Sequence, residues 1–469
     1  MLASKTVKRL KQLGENDLIS HYEKLTPEQK EIFDQQFLAL SIEKIEEQKR
    51  IFLEQVKQEP NSSGGPRGAS PTVEEISPLQ GYRIAGSAGS QKRGKELLAQ
   101  GQVGCLILAG GQGTRLGFPH PKGMFPITPI EKKSFFQLFA EKCLASGKLA
   151  GRALPMAIMT GAHSDLEVRT FFSENQRFGL TEEQLSFYTQ GELPLISEEG
   201  HLFLEGTTRI AVGPDGNGAA LHHFYQSGIW KRWSEAGVRH LMLVHIDNPL
   251  ADPFNAELVG SHAEHQDEVT LQCVGRRDLT EKVGLIVKKG KKIAVVEYSE
   301  ISPEEQRAVD LTGQPKHPCA NIGTFCFSME WIERSVREKP PQMPLHLAHK
   351  AAKYLDRSGI TRTSRKPIAW KYEHFIFDLL DRAERVGVMM TPREECFAPL
   401  KTKTGPCGVK AVQKMLVAHD QQQYAKISGG RPPRGAFELS QEFHYPTADL
   451  LKSWKGRELP ETSYVSAQQ

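Results

Sequence analysis

The chain has 469 residues, 39% of them hydrophobic and 25% charged, amounts that suit roughly three globular domain-sized units and exclude a single small module, a disordered chain or a fibrous repeat. Lys and Arg total 60 against 56 Asp and Glu, and a net charge of +4 is too weak to imply a nucleic-acid partner. The longest apolar run, near Val103 to Ala109, falls far short of the ~20 residues of a membrane helix, and the start, MLASKTVKRLKQLG, has charge but no apolar stretch. The expectation is a cytoplasmic protein that engages neither nucleic acid nor membrane.

Seven scattered cysteines with no Cys-x-x-Cys predict buried thiols in a reducing compartment. Of sixteen histidines only His346 and His349 stand at a suggestive spacing, and no acidic residue lies between them as a zinc-protease helix requires.

Residues 1 to about 58 read as helices: Leu18, Ile19, Tyr22 and Leu25 recur at helical spacing, and Thr26-Pro27-Glu28-Gln29 looks like a helix start. They are expected to form an appended helical region. From Glu59 to about Gly94, EPNSSGGPRGASP and AGSAGSQKRG predict an exposed connector. From Val103 strand and helix alternate: CLILA, a helix around Ser134 to Leu144, PMAIMT, a helix around Leu166 to Asn175, LSFYTQ, a helix after Gly218, then HLMLVHID. Alternation predicts parallel strands with crossover helices. After Glu268 the chain turns richer in strands with VTLQCVG, VGLIVK and KKIAVVEYSE; around Lys371 come a predicted helix, HFIFDLLDRAERV, and a strand, VGVMMT. The division expected is 1–95, helices and connector; 96–385, the catalytic domain; and 386–469, a small C-terminal domain.

The most informative stretch is Leu106-Ile-Leu-Ala-Gly-Gly-Gln-Gly-Thr-Arg-Leu-Gly-Phe-Pro-His-Pro-Lys-Gly123, an apolar strand delivered into a glycine-rich loop. Glycines 110, 111, 113 and 117 let backbone N–H groups converge on an anion. The glycine spacing is wrong for a dinucleotide fingerprint, and no Gly-Lys-Ser/Thr closes a Walker loop. What remains is a loop whose two cations, Arg115 and Lys122, can meet a polyphosphate.

LAGGQGTRLG followed by PKG resembles the nucleotide loop of the eukaryotic-type UDP-sugar pyrophosphorylase family, closest to its UDP-N-acetylhexosamine branch. TQGELPLI, GPDGNG, HIDNPLADP, VEYSEIS, ANIGTF, FIFDLL and FAPLK match that family in order, from roughly residue 100 to 405. The resemblance implies an α/β fold, a Rossmann-like mixed sheet of the nucleotide-diphospho-sugar transferase (GT-A-like) kind. It implies that Leu108, Ala109, Gly110, Gly111, Lys122, Gln190, Gly216, Asp247 and Lys371 hold the nucleotide, with Gln190 reading uracil, and that Asp247 carries magnesium. Asn217, Gly284, Glu297, Tyr298, Asn321 and Lys401 are implied on the sugar phosphate, and Arg115, Lys122, Lys371 and Lys401 in catalysis.

The implied reaction is UTP plus N-acetylglucosamine 1-phosphate giving UDP-N-acetylglucosamine and pyrophosphate. Lys282, and Cys319-Ala320 in place of a common Ala-Gly, depart from the family pattern and are expected beside the sugar's 2-substituent, which leaves UDP-glucose or broad UDP-sugar synthesis open. A catalytically weak nucleotide-binding regulator is the alternative of another class. The oligomeric state is left open.

Overall fold

The computed structural model describes residues 4–56, 76–111, 113–337 and 343–468. It contains two compact units, and each gathers distant stretches of chain. The larger comprises the described residues of Thr72–Thr189, Ala220–Pro341 and Leu379–Gln469; the smaller comprises those of Met1–Pro71, Gln190–Ala219 and Gln342–Asp378. These units cut across the sequential division at 95 and 385.

In the larger unit an eleven-stranded sheet has the main order Arg83–Ile84, Val386–Met390, Val269–Gly275, Cys319–Ser328, His240–His245, Val103–Ala109, Met156–Thr160, Leu185–Thr189. Every neighbouring pair on this path is parallel except those made by Cys319–Ser328, which runs antiparallel to both neighbours. The sheet is therefore mixed. All seven residues of Val103–Ala109 are buried, as a strand covered on both faces must be. Helices Ala88–Ala99 and Ala256–Glu264 cross so closely that a Cβ on Gly94 would lie 1.7 Å from the Ala256 carbonyl oxygen, so glycine is what permits the crossing. Helix Val409–Ser428 carries a C-terminal satellite core of Tyr424, Phe437, Phe443, Trp454 and Val465.

In the smaller unit four helices, Lys5–Gln12, Asn16–Glu23, Pro27–Ala39 and Ile42–Gln55, pack on short strands from the middle of the chain. The third opens with a capping box on Thr26 and Gln29, as its sequence predicts. Phe33, Phe37 and Phe52 share one core with Leu193, Ile196, Ile210, Trp370 and Tyr372. The amino-terminal helices are thus not an appendage: they are half of this unit's core.

The later part of the expected connector is regular structure. Residues 57–75 lie outside the described residues, but Ile76–Pro78 and Arg83–Ile84 are strands and Ala88–Ala99 is a helix. The glycines and serines of AGSAGS begin that helix, with the Ser87 hydroxyl accepting from the Ser90 N–H at 3.2 Å. HFIFDLLDRAERV forms a 3₁₀ stretch, Ile376–Arg382, because its N–H groups bond three residues back, Asp378 to Phe375 and Ala383 to Leu380. All seven cysteines are free thiols, six of them buried.

Candidate active site

In the larger unit the chemistry gathers at the carboxyl ends of two adjacent parallel strands, Val103–Ala109 and His240–His245, where the strand ends of an open α/β sheet offer a ligand crevice. The Ile246 N–H donates to the Leu108 carbonyl at 3.1 Å, which fixes the two following loops side by side. Leu108 and Ala109 are buried, so only their main chain can meet a ligand; Gly110 and Gly111 follow with accessible backbone. Arg115 is exposed on the short turn Thr114–Leu116. Lys122 begins a second 3₁₀ turn, which sits tight on the core because Gly123 lies under the Phe136 ring, 2.2 Å from where a Cβ would be.

Asp247 is two residues past its strand. Its Oδ2 lies 2.8 Å from the Lys401 Nζ and 3.4 Å from the Lys122 Nζ, and the side chains of Asp247 and Lys122 are largely buried. The Lys122 ammonium also donates to the Leu400 carbonyl. Burial opposes ionisation of Asp247, yet the two lysines more than offset it and hold the carboxyl well below its usual range. Burial pulls the Lys122 ammonium down against the pull of Asp247, whereas Asp247 raises Lys401. Three residues far apart in sequence, 122, 247 and 401, thus form one charged cluster.

Asn248, not singled out by sequence, explains how Lys401 arrives there. Its buried amide donates to the Cys396 carbonyl at 2.7 Å and accepts from the Ala398 N–H at 2.9 Å, while the Asp247 carbonyl accepts from the Leu400 N–H at 2.9 Å. HIDNPLADP therefore clamps FAPLK through main-chain and amide bonds. His245, also passed over, lies against Gly323: a Cβ there would stand 2.6 Å from the imidazole, and φ of +73° independently demands glycine.

Three of the expected sugar residues meet beside this edge. The hairpin Leu285–Lys289 and Lys292–Val296 sets its two ends opposite each other, so the Glu297 carboxylate passes over Gly284, 3.1 Å from where a Cβ would be. Asn321 joins them through its N–H, which donates to the Gly284 carbonyl at 2.8 Å. Tyr298 is 40% exposed beyond the strand end. Ala320 does not belong with them: it faces away from Asn321, into a core cluster of Val274, Ile322 and Cys396. Its methyl is packing material, and the expectation that it crowds the sugar is corrected.

In the smaller unit Gln190, Gly216, Asn217 and Lys371 are brought together by the strand Ala369–Glu373 and its continuation. The Asp215 N–H donates to the Gly191 carbonyl at 3.1 Å, and the His374 N–H to the Asp215 carbonyl at 2.8 Å. Gly216 has φ of +85° and lies so close to His374 that a Cβ would be 2.3 Å from its carbonyl oxygen. The Asn217 Oδ1 accepts from the Ile376 N–H at 2.9 Å. The Lys371 stem runs over Gly213 and its ammonium pairs with Glu373 at 2.7 Å. Gln190 is 8% exposed, a buried amide rather than a surface one. Asp215, His374 and Glu373 were not singled out; Asp215 stood inside a quoted motif, and the other two followed Lys371 closely.

A sequence profile of UTP–glucose-1-phosphate uridylyltransferase matches residues 35–426. The chain belongs to this family. It is 32% identical over 345 residues to UDP-N-acetylglucosamine pyrophosphorylase of Saccharomyces cerevisiae, covering 71% of this chain and 72% of that one. With UDP-N-acetylglucosamine diphosphorylase 1 of Arabidopsis thaliana it shares 29% identity over 414 residues, 85% and 79% of the two chains. The fold matches the crystal structure of the Trypanosoma brucei UDP-N-acetylglucosamine pyrophosphorylase in complex with an inhibitor, with a TM-score of 0.75 at 23% identity over 92% of this chain and 88% of that one. As a member of the uridylyltransferase family the chain is a nucleotidyltransferase with the mixed α/β architecture its motifs imply.

Proposed function

We propose that this enzyme transfers the uridylyl group of UTP to N-acetylglucosamine 1-phosphate, reversibly, in the cytoplasm. The observation that carries the reading is the cluster of Lys122 and Lys401 on Asp247 beyond the glycine loop. A sugar-phosphate oxygen attacks the α-phosphorus of UTP; the new P–O bond forms as the bond to the bridging oxygen breaks, and pyrophosphate leaves with the electron pair. The attacking oxygen is already ionised at neutral pH, so no general base is needed and the rate rests on positioning and charge. Arg115 and Lys122 would neutralise the triphosphate, while Lys371 and Lys401 would orient phosphates for in-line attack.

Asp247 fits a magnesium ion, being one ionised carboxylate at a strand end, the way this ion is held alongside substrate phosphates and water. Magnesium, when bound, supplies charge neutralisation at the phosphates. Lys401, which pairs with Asp247, would meet a phosphate of the sugar. Gln190 would read the uracil edge, with Gly216 against the base and Asn217, Gly284, Glu297, Tyr298 and Asn321 on the sugar. The relatives named above for N-acetylglucosamine support this choice of sugar. Pyrophosphate release from UTP with N-acetylglucosamine, N-acetylgalactosamine and glucose 1-phosphates tests it: the first should give the highest kcat/KM, and a preference for glucose 1-phosphate by more than about tenfold moves the enzyme to UDP-glucose synthesis.

A further inference from the structure

Beneath helix Val409–Ser428 of the larger unit lies a cavity of about 560 Å³ that the uridylyl chemistry does not use. Two imidazoles and a carboxyl converge on it: His419 and Asp420 from helix Val409–Ser428, and His444 from just after the 3₁₀ turn Gln441–Phe443. Their ligand atoms all lie within 4.8 Å of one another. Asp420 Oδ1 is 2.9 Å from His444 Nε2, and Oδ2 accepts from the Leu439 N–H at 3.0 Å. The rings of His419 and His444 stack 4.8 Å apart and 5° from parallel. No lysine or arginine among the described residues forms an ion pair with Asp420; the Lys142 ammonium, which lines the same cavity, acts on it only from a distance.

We propose that His419, Asp420 and His444 bind one divalent transition-metal ion, zinc by the chemistry of its ligands, with a fourth position open to the cavity. Two imidazoles and one carboxylate form a donor set that suits zinc and does not suit magnesium, which takes oxygen ligands. The ion replaces the proton between His444 and Asp420, and bringing it onto all three ligands requires the His419 ring to turn toward Asp420. The cavity exceeds what a closed structural ion needs, so water or a small anion completes the coordination. By tying helix Val409–Ser428 to the following segment, the metal stabilises the satellite core of Tyr424, Phe443 and Trp454.

The test is cobalt(II) titration of full-length protein freed of metal by a chelator, followed in the visible spectrum and repeated with zinc in a thermal melt. One equivalent of cobalt should develop nitrogen- and oxygen-type ligand-field bands, resist excess magnesium, yield to zinc, and persist in Asp247→Asn. Zinc should raise the melting temperature, and His419→Gln should weaken binding at least about tenfold with little change in the metal-free melt, since that ring stacks on His444 and makes no hydrogen bond among the described residues. Absence of bands in the wild type, or their survival in His419→Gln/His444→Gln, overturns the proposal. A sulfur-to-cobalt charge-transfer band does so too, because it transfers the metal to a cysteine.

Discussion

At the scale of single residues, the lysine on the glycine loop has the firmest geometry. Lys122 is held by Asp247 and by the Leu400 carbonyl before any substrate arrives, so its charge is preorganised. Lys122→Ala should lower kcat by ~10²-fold or more, the scale for losing one preorganised charge contact, with the fold intact by circular dichroism. Unchanged turnover would remove it from the machinery. The residues proposed to meet the sugar give a paired prediction. Because the Ala320 methyl lies among Val274, Ile322 and Cys396, Ala320→Gly should cost about 1 kcal/mol of stability and leave the ratio of kcat/KM for N-acetylglucosamine and glucose 1-phosphates unaltered. Glu297→Ala, at the hairpin end over Gly284, should lower kcat/KM for the sugar phosphate by ~10-fold or more, the effect of losing a hydrogen bond to a charged group. A ratio that moves with Ala320 and not with Glu297 would reverse the two assignments.

At the scale of elements, the alternation of strands and helices was legible because buried parallel strands are written as short apolar runs, and Val103–Ala109 is one. The glycine loop that follows this strand was legible too, since its glycines stand there for reasons independent of the rest of the chain. Which face of Cys319–Ser328 packs into the core was not legible. Period-2 alternation says that Ala320 and Asn321 point to opposite sides, but only the packing of Cys396 and Val274 says which side is core. The role of Asn248 was hidden for a similar reason, because the carbonyl it binds is 148 residues away.

Helix Phe135–Ala150 carries a further consequence of packing, the buried Lys142, whose ammonium donates to the carbonyls of Pro249 and Ala251. Burial lowers its pKa from 10.5 to about 8. Since the folded value is the lower one, the unfolded chain binds more protons between pH 8 and 10.5, and this group's contribution to stability rises with pH across that window. Urea midpoints of wild type and Lys142→Met, compared from pH 8 to pH 10, should show the wild type gaining relative to the variant. Parallel profiles would mean that Lys142 keeps an ordinary pKa in the folded chain.

At the scale of the whole molecule, the smaller unit is assembled from three stretches of chain, and the helices nearest the amino terminus supply much of its core. Local pattern announced those helices, but their partners are remote: Gln48 donates to the Pro194 carbonyl across 146 residues, and Tyr372 to the Gln48 carbonyl across 324. Gln36 does the same for the Ile210 backbone, giving and receiving a bond at 3.0 and 2.8 Å. Gln190, Gly216 and Lys371 lie on the strands and turns that this core supports. Phe37 is 1% exposed there, and Phe37→Ala should therefore cost roughly 3 to 5 kcal/mol by cavity formation. Its effect should be selective: hydrogen exchange should accelerate across 190–219 and 342–378 while strand Val103–Ala109 keeps its protection, and the KM for UTP should rise before kcat falls. Deleting residues 1–56 should go further and abolish UTP turnover, because Leu193, Ile196, Trp370 and Tyr372 would be left facing water. A truncated chain that keeps both its turnover and the exchange protection of 190–219 would show that these helices are an appendage after all.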